Sequence, residues 1–136
     1  MQILNYPDVR FKAIILTIIS SGIRVGAWDY LQWRHITPIK SEGAILTAKI
    51  VVYAGQPKHH YSFVTPEAYQ ALKEWINFRS SHGEKITESS WVMRYLWKNT
   101  NITYGAKFGY AKTPLKLQSI GIINLICKAL FQQVNN

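Results

Sequence analysis

Ser20-Ser21-Gly22-Ile23-Arg24-Val25-Gly26-Ala27-Trp28-Asp29-Tyr30-Leu31-Gln32-Trp33 is the stretch on which the reading of this chain turns. An apolar run from Phe11 to Ile19 halts at Ser-Ser-Gly. One arginine follows, and a short amphipathic segment ends on Leu31 and Trp33. Upstream, Pro7-Asp8 reads as a helix start with Asp8 as N-cap, so a first helix is expected from about Val9 to Ile19. Gly22 is free to take positive φ as the residue that closes it. A second short helix is expected over Val25 to Trp33, where apolar residues recur at roughly helical spacing.

Downstream, Pro38 to Gly43 reads as a turn region. Ala44 to Tyr53 is rich in β-branched residues and predicts a strand. Ala54 to Lys58 is a turn, and His60 to Thr65 is the partner strand, with Tyr61, Phe63 and Thr65 alternating against His60, Ser62 and Val64. Thr65-Pro66-Glu67 is a helix entry: a threonine N-cap, proline at the first helical position and an acid in the first turn. That helix closes at Ser80 to Gly83. A short helix is expected over Trp91 to Trp97, a loop over Asn99 to Pro114, and a last helix over about Ser119 to Gln133, apolar at Ile122, Ile123, Ile126, Leu130 and Phe131. The expected class is α+β, mainly helical with a small antiparallel hairpin or sheet, in one domain over residues 1–136.

The formal net charge is +9 and the hydrophobic share 48%. So basic a globular chain meets nucleic acid, an anionic surface or an acidic partner. All seven acids lie at or before Glu88, whereas Arg94, Lys98, Lys107, Lys112, Lys116 and Lys128 follow with none to offset them. Tyr95, Trp97, Tyr104, Phe108 and Tyr110 are interleaved with these charges, which favours nucleic acid over a merely solvated face. The single cysteine, Cys127, excludes zinc and a disulfide framework within the chain, and its apolar neighbours point to a buried small hydrophobe. The longest apolar run, Ala13 to Ile19, is far short of the ~20 residues of a membrane span. No basic segment followed by a cleavage site opens the chain. The expectation is a cytoplasmic protein with no membrane partner, nucleoid-associated when bound to DNA.

The Ser20–Trp33 stretch resembles the first arginine box of the tyrosine recombinases, the phage-integrase-like family, whose usual form is roughly T-G-x-R-x-x-E-x-x-x-L-x-W. Ser-Ser-Gly before the arginine and Ala-Trp-Asp after it are most similar to archaeal-type integrases. Tyr61 to Tyr69 and Gly83 to Thr87 resemble the same group. The resemblance implies that Arg24 clamps the non-bridging oxygens of a scissile phosphate. A guanidinium suits this, staying charged and forking two N–H donors. It also implies a lysine on the hairpin that protonates the departing 5′-oxygen. Lys49 fits the family's separation from Arg24 better; Lys58, in the turn, is the other candidate. Lys58, His59 and His60, with Lys98, Lys107, Lys112 and Lys116, are expected to contact DNA. Successive strand positions put His59 and His60 on opposite faces, so they cannot pair on one metal. No cofactor and no metal are implied, because the family's arginines and lysine do the work of a cation.

This sequence departs from the pattern in three places. The acid often found three residues after the arginine is Ala27, with Asp29 two later. None of His35, His59, His60 or His82 opens an H-x-x-R box, and no tyrosine follows such a box. The resemblance therefore covers the N-terminal part of a catalytic domain. The expected function is the double-stranded-DNA-binding portion of a site-specific recombinase, inactive alone and open to self-association through exposed apolar surface. The alternatives are a complete non-catalytic DNA-binding or regulatory relative, and a basic RNA-binding protein, for which no aromatic RNP-like strand or G-x-x-G loop is apparent.

Overall fold

A computed structural model of the chain describes residues 8–94 and 119–135. Its order is α1 (Val9–Ser21), a 3-10 segment (Val25–Tyr30), a 3-10 turn (Trp33–His35), β1 (Ile36–Ser41), β2 (Ala44–Val52), β3 (His60–Val64), α2 (Pro66–Ser81) and α3 (Ser119–Asn135). The strands form one antiparallel sheet in the order β1-β2-β3. The fold is α+β, as expected.

Local chemistry sets the helix ends. Asp8 Oδ1 accepts the Arg10 N–H at 2.9 Å and opens α1. Gly22, at φ 71°, closes it by donating its N–H to the Ile18 carbonyl. Thr65 caps α2 by accepting the Ala68 N–H, with Pro66 just inside the helix. Helix α1 packs on α2 and β3, and α2 on β2, so both helices cover one face of the sheet. Phe11, Ile14, Ile50, Val52, Leu72 and Trp75 are fully buried between them. At roughly 1.5–3 kcal/mol per fully buried side chain, this layer is the main favourable term for the fold.

Four expectations are corrected. Pro38 to Gly43 is not all turn: β1 runs through Pro38 to Ser41, and only Glu42-Gly43 turn, both at positive φ (52° and 81°), as a two-residue hairpin loop requires. Pro38 is tolerated because β1 is an edge strand. The segment after Arg24 is 3-10 rather than α, and it ends at Tyr30 because Leu31 to Arg34 pair sideways. Val92 N–H donates to the Leu31 carbonyl, Trp33 N–H to the Ser90 carbonyl and Arg34 N–H to the Glu88 carbonyl. The same pairing explains why Trp91 to Arg94 are not helical, Trp91 forming a bridge with Gln32. The rest of that expected helix, and the Asn99–Pro114 loop, lie outside the described residues. Finally, Cys127 is exposed. The buried stripe of α3 is Ile122, Leu125 and Ala129, and Cys127 lies two residues from Leu125, on the opposite side of the helix. Ile120, Ile123, Leu130 and Phe131 are exposed with it.

The 88–94 segment is held by buried charge. Glu84 takes Arg79 Nε at 2.9 Å on one carboxylate oxygen and Arg79 Nη2 on the other, and it accepts Arg94 Nη1 at 3.1 Å. All three side chains are essentially buried. Arg79 Nη1 also donates to the Trp91 and Val92 carbonyls, and Trp75 Nε1 donates to that of Val92. Arg10 reaches the Arg94 carbonyl at 3.1 Å, tying the start of α1 to the same segment. Glu84→Ala should therefore destabilise the protein by about 3–5 kcal/mol, because it leaves two guanidiniums buried without their anion. Urea unfolding checks this, and a loss under 1 kcal/mol contradicts it.

His35 supplies a pH dependence. Its Nδ1 accepts the Gln32 N–H at 3.0 Å, so the ring is held neutral. Burial, reinforced by the neighbouring Arg34 charge, pushes its pKa below the ordinary value of 6.5, against an opposing hydrogen bond to the Tyr30 backbone. The unfolded chain then binds more protons than the folded one between that lowered value and 6.5. The His35 contribution is complete above 6.5 and lost as pH falls through this window. Melting temperature should drop on acidification below about 6.5, and less so in His35→Gln. Parallel melting curves for the two proteins would exclude this role.

Candidate functional site

The site begins where α1 ends. Ser20 and Ser21 turn their hydroxyls back onto the Leu16 and Thr17 carbonyls. Ser62 Oγ of β3 donates to the Ser21 carbonyl at 2.7 Å, satisfying a helix-end acceptor and pinning the middle of β3 against the turn. Gly22 reverses the chain, Ile23 is buried, and Arg24 follows with an exposed side chain. Arg24 is also the residue from which the 3-10 segment starts, its carbonyl accepting the Ala27 N–H at 3.0 Å. Ala27, Trp28 and Leu31 anchor the rest of the box in the core.

A cavity of about 380 Å³ opens at this corner, lined by Gly22, Ile23, Arg24, Tyr53, Lys58 and His60. Tyr53 is its organising side chain. It is mostly buried, its backbone sits at φ 55°, and its hydroxyl lies so close to Gly26 that a Cβ there would meet it at 3.2 Å. Its ring centroid is 5.7 Å from Tyr30 and 6.4 Å from His60. Lys58 Nζ stands 4.8 Å above its centre, a cation–π contact that draws the flexible lysine toward the cavity. His60 Nδ1–H donates to the Lys58 carbonyl at 2.8 Å. The lining thus offers a guanidinium, an ammonium and an imidazole, with no carboxylate among the six residues. Such a set is chemically suited to an anion, and a planar fork such as Arg24 suits phosphate oxygens.

The structure separates the two candidate lysines. Lys58 shares the cavity with Arg24. Lys49, paired with Phe63, has its Nζ 4.9 Å over the Tyr61 ring and does not line the cavity. Its strand neighbours Ala48 and Ile50 are buried, so Lys49 sits on the face of the sheet turned away from the core. His60 lines the cavity, whereas His59 packs edge-on to Tyr61 at 5.3 Å. Lys98, Lys107, Lys112 and Lys116 lie outside the described residues. A wider groove of about 750 Å³ between α1, α2 and the Gly43 turn carries Lys12 and Glu67 and gathers no comparable charge. Among the described residues, no group of three or more His, Cys, Asp and Glu side chains is placed to hold a metal ion, and no helix is long and apolar enough to cross a membrane.

Two contributors were not singled out from the sequence. Tyr53 could not be, because its role rests on contacts with Lys58 and Tyr30 across the fold. Asp29 was visible as a displaced acid, and its partner was not. Its carboxylate accepts the Ser119 N–H at 2.7 Å and the Ser119 hydroxyl at 3.0 Å. Asp29 therefore caps a helix 90 residues away, at the end where a negative charge is favoured. Comparison with protein-family models, with curated proteins and with solved structures found no match to this chain.

The cap makes a prediction. Asp29→Ala should destabilise the protein by about 1 kcal/mol, and Asp29→Asn by less, since asparagine also caps. Hydrogen exchange should speed up first over residues 119–123. Unchanged exchange in that turn for Asp29→Ala would remove the capping role.

Proposed function

We propose that this chain is the DNA-binding portion of a tyrosine-type site-specific recombinase, holding a backbone phosphate of double-stranded DNA at Arg24. One observation carries the reading: Arg24, Lys58 and His60 converge on one cavity without a carboxylate, at the end of the arginine-box turn. The likeness of Ser20 to Trp33 to the family's first arginine box supports it, as does the charge of +9. On this reading Lys58, rather than Lys49, is the proton donor to a leaving oxygen, because it stands beside the phosphate-binding arginine. The exposed stripe of α3 is the surface proposed for self-association.

A second reading is a DNA-binding or regulatory relative that cuts no strand, which the same cation-lined cavity would serve. Both readings place a phosphate at Arg24, and one experiment tests that shared step. Duplex binding measured against salt should give a log–log slope shallower by about 0.9 in Arg24→Ala, the contribution of one phosphate contact. Lys58→Ala should flatten it similarly, and Lys49→Ala should leave it unchanged. Identical slopes for wild type and Arg24→Ala remove phosphate binding from this arginine. If mixing the chain with a second polypeptide that supplies H-x-x-R and a tyrosine yields DNA cleavage that Arg24→Ala abolishes, the recombinase reading stands over the binder.

A further inference from the structure

The outer face of the sheet is an apolar and basic surface that the Arg24 cavity does not use. Strand β3 alternates so that Val64 is buried and Ser62 turns to α1, while Tyr61 and Phe63 point the other way. Those two aromatics are 58% and 51% exposed, an unusual outcome for large aromatic side chains of a strand. Register places them beside Lys49 and Val51 of β2, and through Lys49 beside Thr37 of edge strand β1. Lys49 Nζ and the His59 ring both lie against Tyr61. The three strands contain no Asp or Glu at all, and their charged residues are Lys40 and Lys49.

We infer that this face is a stacking platform for the unpaired bases of single-stranded nucleic acid, with Tyr61 and Phe63 as the platform rings and Lys49 beside them as a backbone-phosphate contact. The charge argument selects a polyanion: a strip of lysine and histidine without any acid attracts phosphate and repels nothing on it. The ring argument selects bases. No aromatic platform was apparent in the sequence, because only the fold shows that Tyr61 and Phe63 stay exposed; exposed aromatic rings on a basic sheet surface bind successive bases through their π-faces, with little regard to sequence. The spacing argument selects an unpaired strand over a duplex. Side chains two residues apart in a strand stand roughly 6.6–6.8 Å apart, about twice the 3.4 Å step of stacked duplex bases. A duplex keeps its bases stacked and shut away from both rings, whereas an extended single strand presents one base to each. This inference is independent of phosphate binding at Arg24, which lies on the other side of β3.

The test uses the full chain and a fluorescent thymidine oligonucleotide about a dozen nucleotides long, followed by anisotropy at low salt. A matched oligonucleotide with the same phosphates and abasic sugars should bind wild type at least about tenfold more weakly, because stacking supplies that difference for even a few bases. The Tyr61→Ala/Phe63→Ala variant should bind the thymidine strand about thirtyfold or more weakly, and Tyr61→Phe within about twofold of wild type. The double variant should keep duplex affinity within about twofold, which separates this face from the Arg24 site. A uridine strand compared with a deoxyuridine strand shows which sugar is preferred, and binding of either supports the platform. Equal affinity of wild type for thymidine and abasic strands overturns the proposal, and needs no variant. So does a double variant, folded by circular dichroism, that binds thymidine like wild type. A wild-type dimer that the double variant dissolves would assign the face to a second copy of the chain and equally overturn it.

Discussion

One carboxylate between two arginines holds the described part of this protein in register. Glu84 is buried, and so are the guanidiniums of Arg79 and Arg94 that it neutralises. Charge placed in a low-dielectric interior is tolerated only when paired and hydrogen-bonded, so each member restricts where the others can go. Arg79 fixes the end of α2, Glu84 the turn after it, and Arg94 the segment that pairs with Leu31 to Arg34. Arg10 extends the same constraint to the start of α1 through the Arg94 carbonyl. Two ends of the chain's helical layer and the strand-like 31–34 segment thus meet at one ionic centre. Apolar packing alone is non-directional and would leave that register open.

The turn that carries Arg24 is built on that frame. Its upstream side is fixed by helix closure at Gly22 and by the Ser62 hydroxyl on the Ser21 carbonyl. Its downstream side is fixed by Trp28 and Leu31 in the core and by Asp29 on the start of α3. Arg24 lies between two anchored points with its side chain exposed, so the backbone is positioned while the guanidinium stays accessible. Tyr53 completes the arrangement by standing against Gly26 on one side and under Lys58 on the other. A residue at Gly26 with any Cβ would crowd the hydroxyl. That is the specific use of the glycine here, distinct from the positive φ that Gly22 supplies.

The two faces of β3 carry different chemistry through simple alternation. One face gives His60 to the cavity and Ser62 to the end of α1, and the other exposes Tyr61 and Phe63 next to Lys49. A shift of one residue in the β2–β3 register would exchange these roles, burying the rings and removing His60 from Arg24. Val64, Ala48, Ile50 and Val52 prevent that shift, because all four are buried against the helices.

Much of this was legible in the sequence, wherever the signal was local. Asp8 and Thr65 as caps, Gly22 as a helix closure, Pro66 at a helix start and the β-branched run of β2 are each dictated by a residue's own backbone preferences or by partners a few positions away. The acid-free stretch after Glu88 was equally readable as charge, while the candidate role of Arg24 came from the likeness of Ser20 to Trp33 to a known motif. Tertiary structure decided what depends on distant partners. Pro38 joins a strand because β2 accepts it at an edge. Trp91 leaves the expected helix because Gln32 pairs with it. Cys127 lies outside because Ile122, Leu125 and Ala129 face the core. Lys58, rather than Lys49, meets Arg24 because strand alternation turns Lys49 to the opposite face. A sequence displays propensities and spacings, but which face of a strand or helix meets the core is set only when the whole chain packs.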